Sequence, residues 1–235
     1  MFFVPRKYRV LLAGCASALA VLLHTFPAEA ESAAGSLYPE PGTYELGKIQ
    51  EVDSGWVLED SVWWPHRFSS YVSGRITVFS FFYSTCTAVD GCPVAWAAFE
   101  EIHEVVKNDP ELQGRVRLVF LSLDPKVDTP ERLWFFAKSR QDSQEIAPWH
   151  FLTTWSESYL KPILDTMGQS PTRQLDDEGR PTSEINHMIK VYLIDEESWV
   201  REIYSSAFLD PKVVVNDIKT LLMEEEETAS VPRTQ

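Results

Sequence analysis

Two cysteines and a distant histidine are the residues of this chain most suited to chemistry. Cys86 and Cys92 are separated by five residues, Thr87-Ala88-Val89-Asp90-Gly91, and His187 follows about a hundred residues later. A thiolate is both a nucleophile and a soft metal ligand, and imidazole nitrogen binds the same borderline and soft metals. Two sulfurs and one nitrogen suit Cu(I) and still hold Cu(II), whereas a structural zinc site wants a fourth protein ligand that the sequence does not offer. The same pair of thiols has two other uses. One could attack a client disulfide while the other resolves the mixed disulfide, or the two could close as an inert structural bridge. An inert bridge needs no His187, which would then be an ordinary polar residue capping a strand.

These residues sit where elements begin and end. Ile76 to Tyr83 is a β-branched and aromatic run that predicts a buried strand, Ser84-Thr85 leaves it, and Cys92-Pro93 opens a helical pattern through Lys107. A helix N-terminus carries unpaired N–H groups and a partial positive charge, which favours thiolate at Cys92. Arg117 to Leu123 predicts a second buried strand closing at Asp124-Pro125, and Thr129-Pro130-Glu131 opens a helix through about Ser139 with threonine as N-cap. His150 to Thr153 predicts a short strand, and Ser156 to Met167 a helix opened by Ser156. Gln174 to Glu184 is polar and turn-rich. Met188 to Ile194 and Trp199 to Tyr204 predict an antiparallel strand pair, and Pro211 to Met223 a last helix. The order β-α-β-α-β-α-β-β-α, with parallel crossovers first and a hairpin last, is an α/β class: a thioredoxin-like fold with a central mixed sheet and helices on both faces.

The remaining candidates read as structural. Phe81, Phe82 and Tyr83 belong to the core strand, and Met188 opens an apolar strand and is expected in the core. His66, His103 and His150 lie in aromatic or helical surroundings. Asp124 and Asp128 flank a proline turn, where they shape the loop and cap the next helix.

The ends of the chain speak to location. Residues 1–30 have the build of an export signal: basic Arg6, Lys7 and Arg9, an uncharged apolar stretch from Val10 to Leu23, and Ala28-Glu29-Ala30 as a cleavage site. The expectation is a periplasmic protein. Leu12-Ala13-Gly14-Cys15 also has the look of a lipobox, and retention of the segment as an anchor stays open, as the one route to membrane contact. Cleavage after Ala30 removes Cys15 and His24 and takes the net charge from −14 to −16. Such a surface disfavours nucleic acid and attracts cations or basic partners. Residues 31–50, rich in Ala, Ser, Gly and Pro, are expected to be a linker or irregular lead-in, residues 51–224 one domain, and residues 225–235, within and beyond Glu224-Glu225-Glu226-Glu227, a disordered acidic tail.

Several stretches together resemble the Sco/SenC family of thioredoxin-like copper chaperones that serve cytochrome oxidase assembly. They are Phe79 to Cys86, Cys92-Pro93, Leu121 to Glu131 with its Asp124-Pro125 and Asp128-Thr129-Pro130, and Asn186 to Asp195. They occur in family order across roughly residues 55–222. The resemblance implies a copper site of Cys86, Cys92 and His187, an Asp124 near enough to tune the thiols, a thiol reductant, and delivery of copper to an acceptor such as a cytochrome oxidase subunit. The alternative function is thiol-disulfide oxidoreductase, with Cys86 and Cys92 as the redox pair. The chain departs from the family in having five rather than three residues between the cysteines and Thr87 where a proline is usual. The longer loop costs only about 0.3 kcal/mol more to close, and Asp90-Gly91 is good turn material, so chain entropy does not forbid a shared metal.

Overall fold

Two neighbouring strands, each of seven consecutive buried residues, form the centre of the molecule. In a computed structural model describing residues 38–53, 55–60, 62–86 and 92–230, these are β4 (Ile76–Phe82) and β5 (Val116–Ser122). Burial of every residue means that both faces are covered, as expected of parallel strands. The other strands are β1 (Gln50–Glu51), β2 (Trp56–Glu59), β3 (Pro65–Arg67), β6 (Trp149–Thr153), β7 (Thr172–Leu175), β8 (Pro181–Asn186), β9 (Lys190–Ile194) and β10 (Trp199–Ser205). The helices are α1 (Cys92–Asn108), α2 (Pro130–Ala137), α3 (Glu157–Thr166) and α4 (Pro211–Ser230).

Eight strands form one sheet in the order β1-β10-β9-β4-β5-β6-β2-β3, and β7 and β8 form a separate hairpin. β4, β5 and β6 run parallel, with Ser80 opposite Phe120 and Phe120 opposite Phe151. β9 lies antiparallel to β4, and β10 antiparallel to β9. This is the mixed thioredoxin-like sheet expected from the sequence, extended at its edges by β1, β2 and β3.

Alternation along the central strands sorts the core into two layers. Phe82, Phe120 and Phe151 share one face, where Phe99 of α1 stacks on Phe120 at 4.2 Å between ring centroids and Trp96 meets Phe136 of α2 at 5.5 Å. Phe79 and Phe81 point to the other face, against Phe68 and Tyr192. The Tyr192 hydroxyl donates to the Met167 carbonyl at the end of α3, so helices cover both sides. His103 is structural, its Nε2 lying 3.0 Å from the Ala147 carbonyl oxygen. His150 is likewise committed, 2.6 Å from Glu59.

Three expectations change. The lead-in is part of the domain from Tyr38 onward. Tyr44 donates to buried Asp217, the Gly42 amide donates to Thr220, and buried Arg201 binds the Leu46 carbonyl and pairs with Asp195 and Glu224. The acidic run does not end the last helix either. α4 continues through Ser230 because Arg201 takes Glu224 while Arg115 takes Glu225 and Glu226, relieving repulsion among neighbouring carboxylates. Thr129 and Ser156 stand at helix N-cap positions, yet neither side chain makes the capping hydrogen bond.

One glycine is required where α3 crosses β2. Gly55 has φ +106°, and a Cβ there would lie 2.3 Å from Ile163 Cγ1. Gly55→Ala should lower stability by roughly 1–3 kcal/mol, in line with other overpacked sites. Gly47→Ala, with nothing within 4 Å, should stay within about 0.5 kcal/mol of the parent. Urea unfolding midpoints of both variants check the contrast.

Candidate metal centre

The end of β4, the start of α1 and the exit of the β7–β8 hairpin converge at one end of the sheet. Beyond β4, Tyr83 remains buried and the Cys86 amide donates to its carbonyl at 3.2 Å. The short Ser84–Cys86 turn is fastened from below by Asp128, whose side chain is wholly buried. Asp128 accepts the Ser84 amide at 2.9 Å, the Ser84 hydroxyl, and the Ser122 hydroxyl at 2.6 Å. Asp128 therefore shapes the turn, as its place beside the proline suggests. Cys92 is the first residue of α1 and is buried.

His187 arrives by another route. The polar segment read as turn-rich is a hairpin, and β8 ends one residue before the histidine. Arg173 of β7 reaches Asp124 of the Asp-Pro loop at 2.6 Å. Within β8 the Ile185 amide donates to the Tyr83 hydroxyl at 3.4 Å, and that hydroxyl lies 3.3 Å from Glu184. The hairpin is thus tied to the loop following β5 and to the residue following β4. This places His187 Nε2 3.9 Å from Cys92 Sγ across 95 residues of sequence. The Tyr83 ring meets the imidazole edge to face, with centroids 5.9 Å apart.

Cys86 completes the group. It is half-buried, and its thiol interacts with both Cys92 and Tyr83. No disulfide joins Cys86 and Cys92. The cysteine loop 87–91 and its Asp90-Gly91 turn lie outside the described residues, as do the export signal, Cys15 and the chain end from 231.

The electrostatics correct one expectation. The helix start was expected to favour thiolate at Cys92, but burial and then the neighbouring Cys86 push its thiol up to about 12. Desolvation outweighs the partial charge of one helix end. Burial also holds His187 below the usual imidazole range, with its Met188 backbone offsetting part of that effect. His187 Nδ1 is buried and makes no hydrogen bond. Neutral imidazole is the form that binds a metal.

Does the donor set fit a soft metal? Bond lengths of about 2.3 Å to sulfur and 2.0 Å to nitrogen, opened to a trigonal angle, space the two ligands about 3.7 Å apart. The observed 3.9 Å between Cys92 and His187 needs little adjustment. Among the described residues, no three His, Cys, Asp or Glu side chains already stand as ligands of one ion. Two of the three expected donors therefore face one another, with Cys86 alongside Cys92, and a metal would draw the third inward.

Asp124 is buried and held by Arg173 through one carboxylate oxygen. Met188 is not core: it is 65 % exposed, because the chain turns outward between the hairpin and β9. Tyr83 and Glu184 escaped the sequence reading as site residues, the first because an aromatic ending a core strand carries no separate signal. Glu184 could have been found only by recognising the hairpin that carries it.

The family profile described as SCO1/SenC matches residues 66–223. No curated protein matches the chain. Among solved structures, ScoI of Bradyrhizobium japonicum with copper bound is 17 % identical at TM-score 0.57, over 74 % of this chain and 99 % of that one. A SCO1/SenC family lipoprotein from Bacillus anthracis is 22 % identical at TM-score 0.55, over 77 % and 96 %. BsSco, described as carrying a disulfide switch and as a member of the Sco family of cytochrome c oxidase assembly proteins, is 20 % identical at TM-score 0.53, over 80 % and 99 %.

Proposed function

The chain belongs to the SCO1/SenC family, and from that premise we propose that it binds one copper ion through Cys86, Cys92 and His187 and passes it to a protein acceptor, such as a cytochrome oxidase subunit. The contact between Cys92 and His187 carries this reading, because two elements distant in sequence bring a buried sulfur and a half-buried, neutral imidazole together. The two soft sulfurs favour Cu(I), and the imidazole keeps Cu(II) accessible.

The division of labour follows from burial. Cys92 is the deep ligand on a rigid helix, whereas half-buried Cys86 sits on a turn and is the ligand an acceptor could displace first. Copper is held only while both sulfurs are available as thiolates, so a thiol reductant is a required partner and the pair gates loading by its redox state. The oxidoreductase alternative needs an accessible thiolate, and Cys92, buried and protonated, is poorly suited to attack. We place the protein in the periplasm, delivered by residues 1–30. The lipoprotein relative supports keeping Leu12 to Cys15 as a second means of attachment. No helix of the described residues is long and apolar enough to cross a membrane.

Anaerobic titration of the reduced protein with Cu(I) against a competing chelator tests the reading. One tightly bound copper per chain is expected. Binding no tighter than that of protein with both thiols alkylated would sink it.

A further inference from the structure

A groove of about 970 Å³ lies where the lead-in meets the far edge of the sheet, and the metal centre does not use it. Its floor is the outer edge of β10. β1 pairs with β10 only at Trp199 and Val200. From Glu202 to Ser205 that edge has no strand neighbour among the described residues. There the Ile203 amide donates instead to the side chain of Glu202, at 2.8 Å. A carboxylate stands where the carbonyl of a further strand would accept, which is one way of blunting an open edge.

The walls state what would fit. Among the described lining residues, Glu45, Glu202, Asp210 and Asp217 face one cation, Lys190, whose ammonium already donates to the Gly168 carbonyl. Asp217 is committed to the hydroxyls of Tyr44 and Tyr204, and Asp210 to that of Tyr38. Glu45 and Glu202 are left to face a visitor. Exposed Phe208 and Met188 supply apolar contact, and Met188 is the residue after His187.

We propose that this groove binds an extended, basic peptide segment of a partner protein as an added strand on β10. The segment's main chain pairs with the Glu202–Ser205 edge, displacing the Glu202 carboxylate from the Ile203 amide. Its lysine or arginine side chains then meet Glu202 and Glu45, and its apolar side chains meet Phe208 and Met188. Main-chain pairing supplies affinity and the alternating side chains supply selectivity. Identifying the segment as part of a copper acceptor, brought beside His187, rests on the copper reading above; the binding itself does not.

The test uses the reduced, copper-free full chain and a fluorescein-labelled heptapeptide of alternating lysine and leucine, followed by anisotropy. Glu202→Lys should weaken binding at least tenfold. Glu45→Lys, on an exposed residue, should also weaken it and serves if the first variant folds poorly. Two N-methylated peptides, each blocking the amides of one edge, separate strand pairing from charge attraction alone, and one of them should lose at least tenfold. With ¹³C-methyl methionine, the Met188 signal should move while that of buried Met167 stays. Absence of binding, indifference to both charge reversals, indifference to both N-methylated peptides, or an unmoved Met188 would each overturn the proposal. So would self-association of the chain abolished by Glu202→Lys, which would make a second copy the occupant. Since copper is absent throughout, failure here leaves the copper reading intact, and failure of the copper titration leaves the groove intact.

Discussion

Cys92→Ser and His187→Ala should each weaken Cu(I) binding by more than about 100-fold, since even partners that only orient a ligand cost roughly 10–100-fold when removed. Two features make the loss large. Cys92 is fixed at the start of a helix and 7 % exposed, so its sulfur is held in position before a metal arrives. His187 is carried by a hairpin fastened at both Arg173 and Ile185, which holds the imidazole at the thiol rather than leaving it to find one. His150→Ala is the control, because that ring is occupied by Glu59 on the far side of the sheet's centre and should leave copper affinity unchanged. Competition with a Cu(I) chelator under anaerobic conditions reads all three proteins. If the His187→Ala protein binds as tightly as the parent, the imidazole is not a ligand and the 3.9 Å approach is packing alone.

The sequence was most legible where one physical signal dominates. Ile76 to Phe82 and Val116 to Ser122 are too apolar and too β-branched to be anything but buried strands, and Pro93 just inside the start of α1 marks that boundary. The hairpin was less legible because its strands are largely exposed and carry Arg, Gln, Ser and Glu in place of an apolar alternation. Its stability comes from long-range partners, Asp124 and Tyr83, that a local pattern does not reveal. The acidic end of α4 was misread for the same reason, since Arg115 and Arg201 lie far away in sequence. The three proposed donors were picked out by residue type and family order, and two of them, Cys92 and His187, lie 3.9 Å apart. Their protonation was not legible, because burial of Cys92 depends on how α1 packs against the sheet, whereas the favourable charge of a helix start can be read from a single proline. Exposure of Met188 was missed likewise: the periodicity that puts Ile189 and Val191 in the core does not show where the strand begins.

The competition between burial and helix end at Cys92 has a measurable consequence, a steep pH dependence of copper affinity. With its thiol pushed up to about 12, Cys92 carries a proton throughout pH 7 to 9, and copper must expel it. His187, held below the usual imidazole range by burial, is neutral over the same interval and releases nothing. Raising the pH removes the proton that competes with the metal, so affinity increases with pH. The rise should be about tenfold per unit for Cys92 alone, or about 100-fold from pH 7 to 9, and steeper wherever Cys86 is also a thiol. Had the helix end prevailed, Cys92 would already be thiolate at neutral pH and would contribute no slope. Chelator competition across this range, corrected for the chelator's own titration, separates the cases. A flat profile in a protein that still binds one copper would show that charge at the start of α1, rather than desolvation, governs the sulfur that holds the metal.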